Sequence, residues 1–373
     1  MNENRGSRYH RLRRRAVIAS ALAGAGWLIL LVASGGSAAL AHAAGAATAG
    51  LPAPAGRVVA IVMFAAVVTA GYEVATFPFA LFRGFLLDRK YGLSSEPFRA
   101  WFADHVKALA LSLLLIVAAA LVVSAAAFRA GRWWWAAAAA AFALAAILLA
   151  NLAPVVLMPL FYRFKPLERE ALRERLLTLS ERAGIKVLGA FEWGLGEKTS
   201  RANAALVGLG RTRRILVSDT LLSGYSDDEI EVILAHEIAH HIHHDIWSAL
   251  ALECAVLAVS LLGADVSVRV AGPWFGIEGP SDLAALPLVA LTAAVVSVLL
   301  TPVGNAWSRH NERRADRYAL ALTERPAAFI SAMRRLGAQN LAEEHPSTPV
   351  FWFFHTHPTI DERIEAAKQF RAA

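Results

Sequence analysis

Two histidines enclose a glutamate in the run His236-Glu237-Ile238-Ala239-His240. On a helix the histidines, four apart, share one face, and two imidazole nitrogens can reach a single ion. The glutamate between them can take a proton from a water that attacks a peptide carbonyl. The flanking residues specify that helix. Ser226-Asp227-Asp228-Glu229 is a capping box, and it opens a stretch from Asp227 to about His244 with Ile230, Ile233, Leu234 and Ile238 as its apolar face. His241, His243 and His244 read as a solvated, histidine-rich end.

A catalytic zinc takes three protein ligands and keeps one position open. The lone cysteine, Cys254, lies in an apolar stretch and reads as a small buried residue, so a cysteine-based zinc site and an internal disulfide are both excluded. The third ligand is expected from Ser308 to Asp316. There Glu312 and Asp316 lie four apart on one helical face, with Arg309 one turn earlier. Glu312 fits as the ligand and Asp316 as the acceptor for a ligand histidine's N–H. His310 competes as a ligand but lies off the Glu312 face. The same stretch also suits a basic helix at a lipid surface, with Arg309, Arg313, Arg314 and Arg317 toward headgroups.

The elements that must hold these residues follow from composition. Of 373 residues, 57% are hydrophobic and 18% charged, against about 25% charged in a soluble domain. The deficit falls in blocks: Ala16 to Gly56, Ala108 to Phe128, Trp133 to Tyr162 and Leu283 to Ser308 contain no Asp, Glu, Lys or Arg. A helical span needs about 20 apolar residues, so a soluble two-domain protein is excluded, and the apolar content also excludes disorder. About six spans are expected: 16–34, 58–82, 107–128, 133–162, 246–263 and 283–307, the fourth bent near Pro154 and Pro159. The first is too long for a signal-peptide core and is read as a retained helix. Gly35 to Gly56 reads as a loop.

The organisation expected is a basic tail at 1–15, a four-span region at 16–162, a first polar part at 163–245, a helical hairpin at 246–307 and a second polar part at 308–373. The two polar parts together have one domain's length. In the first, a helix is expected over 166–183, strands over 190–193, 204–208 and 214–218, and a turn over 208–213. Arg5, Arg8, Arg11, Arg13, Arg14 and Arg15 precede the first span, so the net charge of +7 reads as an orientation signal rather than a nucleic-acid footprint. They place the N-terminus and both polar parts on the cytoplasmic side and leave Asp265, Arg269, Glu278 and Asp282 in an outer loop; the membrane expected is a bacterial inner membrane. Glu73 and Glu253, charges within spans, are expected to line a water-filled chamber beneath the metal site.

Beyond these readings, the sequence resembles the type I CaaX prenyl endopeptidases, integral-membrane zinc metalloproteases. The likeness is carried by Leu87-Asp-Arg-Lys-Tyr-Gly-Leu93, Asp104 to Lys107, Pro159 to Leu167, Ser200-Arg-Ala-Asn-Ala204, Ile215 to Leu222, the His236 to His240 run, Ser308 to Asp316 and His357-Pro358. It implies one zinc ion held by His236, His240 and Glu312, with Glu237 as general base. It also implies Asn203 and Ala204 on an edge strand that takes up the peptide by β-addition, and His357 near the developing oxyanion. His355 has no clear counterpart. The family's eukaryotic members have seven spans where six are counted here, and Phe354 stands in place of a histidine. The fold class expected is a mainly α, multi-pass membrane protein with a cytoplasmic-side α+β zinc metallopeptidase domain split by a helical hairpin. Its partners are the lipid bilayer and a peptide or protein substrate, prenylated or membrane-inserted. A quality-control protease for membrane proteins would share this chemistry without a prenyl requirement. A metal transporter or sensor would use the His236 to His244 cluster and have no use for Glu237.

Overall fold

Inside a bilayer every backbone polar group must be satisfied within the segment, so the apolar blocks form helices. In the computed structural model, which describes residues 5–208 and 210–370, α1 spans Arg5–Ala33, α2 Gly36–Ala47, α3 Ala53–Leu81, α4 Leu87–Lys90, α5 Phe98–Ala130 and α6 Trp134–Leu152. The outer ends of the segments expected at 1–15 and 308–373, and Leu209 in the turn expected at 208–213, lie outside the described residues.

Among the described residues, five stretches are long and apolar enough to cross a membrane: Arg5–Ala33, Ala53–Lys90, Phe98–Leu160, Asp245–Phe275 and Leu283–Thr323. The third contains two helices. Gly131, at φ +52°, turns the chain back, and α5 and α6 pack together around Trp134 and Ala138. Six apolar blocks therefore become six long helices. After α6 the helix widens into a π turn over Ala153–Leu157, which holds Pro154, and then tightens into a 3-10 turn over Met158–Leu160, which holds Pro159, where the bend was expected. Close approach of α1 and α3 relies on glycine: a Cβ at Gly71 would fall within the Trp27 indole, whose Nε1–H donates to Val68 O at 3.0 Å.

Three membrane-side expectations are corrected. Gly35 to Gly56 is not all loop: α2 forms within it, because its alanines favour a helix and Ser37 Oγ–H, buried, donates to Ala284 O at 2.8 Å. The basic 1–15 segment is no free tail, since it is helical from Arg5 and docked. Buried Tyr9 donates its hydroxyl to Asp88 (2.7 Å) and accepts from Arg201 (2.6 Å), while Arg14 forks onto Glu343. Asp265 and Arg269 lie in a helix rather than a loop, paired at 2.9 Å, with Trp134 Nε1–H donating to Asp265 at 2.6 Å.

The polar parts build a small α+β unit. Strands β1 (Phe164–Pro166), β2 (Ala190–Trp193), β3 (Ala204–Val207) and β4 (Arg214–Ser218) form one sheet of order β1-β2-β4-β3. The β2–β4 pairing is parallel and the other two are antiparallel, leaving β3 at an edge. The last three strands and the helix α7 (Glu170–Arg182) occupy their expected places; β1 was not anticipated. Helices α8 (Asp219–Gly224), α9 (Asp227–Ile242), α10 (Asp245–Ala271), α11 (Leu286–Thr323), α12 (Pro326–Gln339), α13 (Thr348–Phe354) and α14 (Ile360–Lys368) follow. A core of Leu176, Ile215, Ile230, Leu234, Ala319 and Phe329 joins the sheet to both sequence parts. α11 is continuous from its apolar half into this unit, and α9 packs along it.

Candidate metal centre

α9 begins at the expected capping box: Ser226 Oγ accepts from Glu229 N and Ser226 N–H donates to the Glu229 carboxylate at 2.8 Å. Glu229 is itself buried and accepts from Ser331 Oγ–H of α12 at 2.6 Å, so the cap also seats the helix. One turn from its C-terminus, α9 presents His236 and His240; α11 presents Glu312 and, one turn on, Asp316. One ligand atom each from His236, His240 and Glu312 lies within 4.8 Å of the others. His236 Nε2 is 3.2 Å from Glu312 Oε2, His240 Nε2 is 3.5 Å from Oε1, and the two Nε2 atoms are 3.3 Å apart.

The other ring nitrogens are held. His236 Nδ1 is 2.9 Å from Asp316 Oδ1, and His240 Nδ1 is 2.9 Å from Asp245 Oδ2. With Nδ1–H donating to these carboxylates, both Nε2 atoms point at Glu312 and at each other. Such an arrangement needs positive charge at its centre. Burial opposes charge on His236, yet Asp316 and Glu312 outweigh it and raise its pKa to about 9. Burial likewise opposes ionisation of Glu312, and the histidine beside it brings the carboxyl down to about 2. Two imidazoles and a carboxylate, each imidazole oriented by its own acid, suit a zinc-type ion.

Asp316 lies within hydrogen-bond reach of His236 Nδ1. The other acid, Asp245, was not singled out from sequence, nor was Arg363; Arg314, expected toward headgroups, is turned onto Asp245 instead. Arg363 of α14 forks onto Asp316 at 2.6 and 2.9 Å, and Arg314 pairs with Asp245. Asp316→Asn would remove the negative charge that holds the His236 Nδ1–H and makes the ring a better ligand, and metal affinity is expected to fall about 10- to 100-fold. Titration of metal-free protein with zinc under a competing chelator measures this.

Arg309 does not touch the ligands. It donates to Phe351 O at 3.2 Å and His355 O at 2.6 Å, while Asn305 Nδ2–H donates to Trp352 O at 2.8 Å. Both brace the turn that leads to His357, whose Nε2 lies 3.3 Å from Glu312 Oε1. His355 is 3.3 Å from Glu343, the carboxylate held by Arg14, so α1 also reaches this turn. His241 is buried rather than solvated, its Nε2 2.7 Å from Leu206 O, and burial lowers its pKa. His243 stands edge-on to Tyr318, away from the cluster. Asn203 and Ala204 do lie at the sheet edge: Asn203 exchanges bonds with Ser218, and Ala204 sits opposite Val217.

A cavity of about 620 Å³ opens at the centre. Leu206, Glu237, His240 and Glu312 line one end and Leu252, Val256 and Leu300 of α10 and α11 the other. Glu253 lies on its wall, as expected of a chamber residue, but Glu73 does not; it is paired with His105 at 2.7 Å across α3 and α5. Cys254 is half-buried, on an adjoining cavity of about 250 Å³, rather than buried in a core.

A multi-pass helical bundle whose last long helix carries Glu312, the third member of a His-His-Glu group able to hold a metal, into a small α+β unit defines a membrane metallopeptidase. The sequence matches the model for peptidase family M48 over residues 166–371 and that for the CAAX prenyl protease N-terminal region, five membrane helices, over residues 4–163. It is 36% identical over 223 residues to the uncharacterized metalloprotease YhfN of Bacillus subtilis, covering 58% of this chain and 52% of that one. Identity to CAAX prenyl protease 1 of Saccharomyces cerevisiae is 26% over 308 residues (78% and 68% of the two chains), and to the rice homolog (Oryza sativa subsp. japonica) 28% over 299 residues (79% and 70%). The fold is that of S. mikatae Ste24p, with a TM-score of 0.82 at 20% identity over 97% of this chain and 87% of that one. The chain belongs to peptidase family M48.

Proposed function

We propose that the chain cuts peptide bonds of prenylated or membrane-inserted substrates at a zinc centre held by His236, His240 and Glu312. The observation that carries this reading is the cavity that joins Glu237 and the ligands to an apolar wall of membrane helices. When bound, zinc supplies a Lewis acid that polarises the scissile carbonyl. Glu237 takes the proton of the attacking water and delivers it to the leaving nitrogen. Burial raises its carboxyl above the usual range, which suits a group that must both accept and return a proton. The peptide adds to β3 along Ala204, with Asn203 at the entry to the strand. His357, on a braced turn beside Glu312, donates to the oxyanion as it forms. We assign residues 163–245 and 308–373 to the peptidase domain and 246–307 to the hairpin that divides it. The N-terminal arginines favour a cytoplasmic site, and we place the chain in a bacterial inner membrane.

Cleavage of matched prenylated and unprenylated peptides by the purified chain, with and without chelator, tests the reading. The prenylated peptide is expected to be cut at least 10-fold faster, through a lower KM, and chelator is expected to stop both reactions. Equal rates for the two peptides, together with cleavage of a destabilised, unlipidated membrane protein, would replace the prenyl reading with a quality-control role.

A further inference from the structure

A second cavity, of about 580 Å³, lies beside the turn that carries His357, and Thr356 lines both it and the cavity of the metal centre. α1 forms one wall with His10, Arg13, Arg14 and Val17, and the chain from α12 to α14 forms the other. The walls are bonded to each other: His10 Nε2–H donates to Leu341 O at 2.9 Å, and Arg14 forks onto Glu343. Three arginines line the cavity. Arg14 is matched by Glu343 and Arg363 by Asp316. Arg13 is not matched: among the described residues it pairs with no carboxylate, and Glu343, the one acid on the lining, already takes both Arg14 and His355. The lining therefore keeps a net positive charge. Both walls also fix its depth. The charge-free block begins at Ala16, so Arg13 and Val17 straddle the boundary between water and lipid. Asn305 and Arg309, which hold α13, bracket the end of the apolar block of α11 at Ser308. α13 thus sits where α11 leaves the bilayer, and there it exposes Trp352, Phe353 and Phe354, as interfacial aromatic anchors do.

We propose that this cavity holds the headgroup of an anionic phospholipid from the adjacent leaflet, with the phosphate on Arg13 and an acyl chain leading out over Val17 and Phe354. A guanidinium offers phosphate oxygens a planar fork of N–H donors. Val17 and Phe354 belong to the same lining and supply the apolar edge that a chain needs. A zwitterionic headgroup brings its own cation toward Arg13 and Arg14 and so gains less. The lipid is a ligand beside the active site and not a substrate. It packs between α1 and the turn of His355 and His357, two elements already joined through Glu343.

Native mass spectrometry of the purified full chain, offered equal amounts of phosphatidylglycerol and phosphatidylcholine in detergent, tests this. The wild type is expected to retain phosphatidylglycerol about 5-fold over phosphatidylcholine. Arg13→Gln is expected to lose the preference and Arg13→Lys to keep most of it. Phe354→Trp places an indole on the cavity wall, and its added emission should be quenched more by phosphatidylglycerol with brominated chains than by brominated phosphatidylcholine. Glycerol phosphate, the headgroup without chains, is expected not to displace the lipid at equal concentration. Equal retention of the two lipids by the wild type would overturn the proposal, whether or not the variants fold. A retained preference in a folded Arg13→Gln, or displacement by glycerol phosphate, would do the same. If Arg13→Gln left lipid retention unchanged and raised KM only for peptides ending in a free carboxylate rather than an amide, the cavity would belong to the peptide and the lipid site would fall.

Discussion

Glu237→Gln is expected to bind metal like the wild type and to cleave at least about 10³-fold more slowly. Positioned acid–base groups contribute about 10²–10⁴-fold, and in the proposed reaction Glu237 acts twice in one turnover, first as base and then as acid. Gln keeps the size of the side chain and a hydrogen-bonding oxygen but cannot take a proton. The metal should remain, because the ligand atoms belong to His236, His240 and Glu312 and their orienting acids are Asp316 and Asp245. Metal content per chain and single-turnover cleavage, measured on one preparation, separate the two effects. A variant with full metal and wild-type rate would falsify the assignment of the base.

Arg363→Ala should produce the largest loss of stability. The guanidinium forks onto Asp316, which is only 4% exposed, and its Nη2 also lies 3.4 Å from His236 Nδ1. Removing one partner of a buried ion pair costs about 3–5 kcal/mol, because the other charge stays buried. In a unit of this size that corresponds to a fall in Tm of ~10 °C. The pH dependence gives an independent readout. Burial raises the Asp316 carboxyl, but Arg363, followed by His236, outweighs it and holds the group well below the usual carboxylate range. A depressed folded pKa stabilises the protein above the unfolded value, about 3.9, and that contribution is lost as pH falls toward the folded value. Without Arg363 the folded value rises, so acid unfolding is expected at higher pH as well as lower temperature. Thermal melts in detergent between pH 3 and 7 measure both. Arg363→Met combined with Asp316→Asn should recover part of the loss, since no charge is then stranded.

The sequence made the centre of the site legible because its signals are local. Ser226 and Glu229 cap one helix turn; His236 and His240, and Glu312 and Asp316, are four-residue spacings that any helix converts into a shared face. What was missed depends on tertiary contact. Asp245 is the first residue of the next helix and reaches back because His244 adopts a left-handed backbone at the joint. Arg363 arrives from α14 and Arg14 from α1, and no spacing rule links either to α9 or to the turn at His355. Arg309 was placed correctly on the face of Glu312, but a helical face one turn away points its long side chain at different neighbours. His241 looked solvated because its sequence neighbours are polar, and only the docking of β3 buries it. α2 was read as a loop because glycine and proline flank it; the alanines between them, packed on α3, decided otherwise.

The uninterrupted course of α11, with α10 before it, has a consequence for biogenesis. His236 and His240 leave the ribosome ahead of both helices, and Glu312 leaves only after them. The chain must thread a helical hairpin into lipid before its third ligand can reach the other two. Until then a nascent chain carries two histidines and no closed binding site. Closure of the site thus waits on synthesis of the whole hairpin, and a chain stalled before Glu312 holds only two of the three residues.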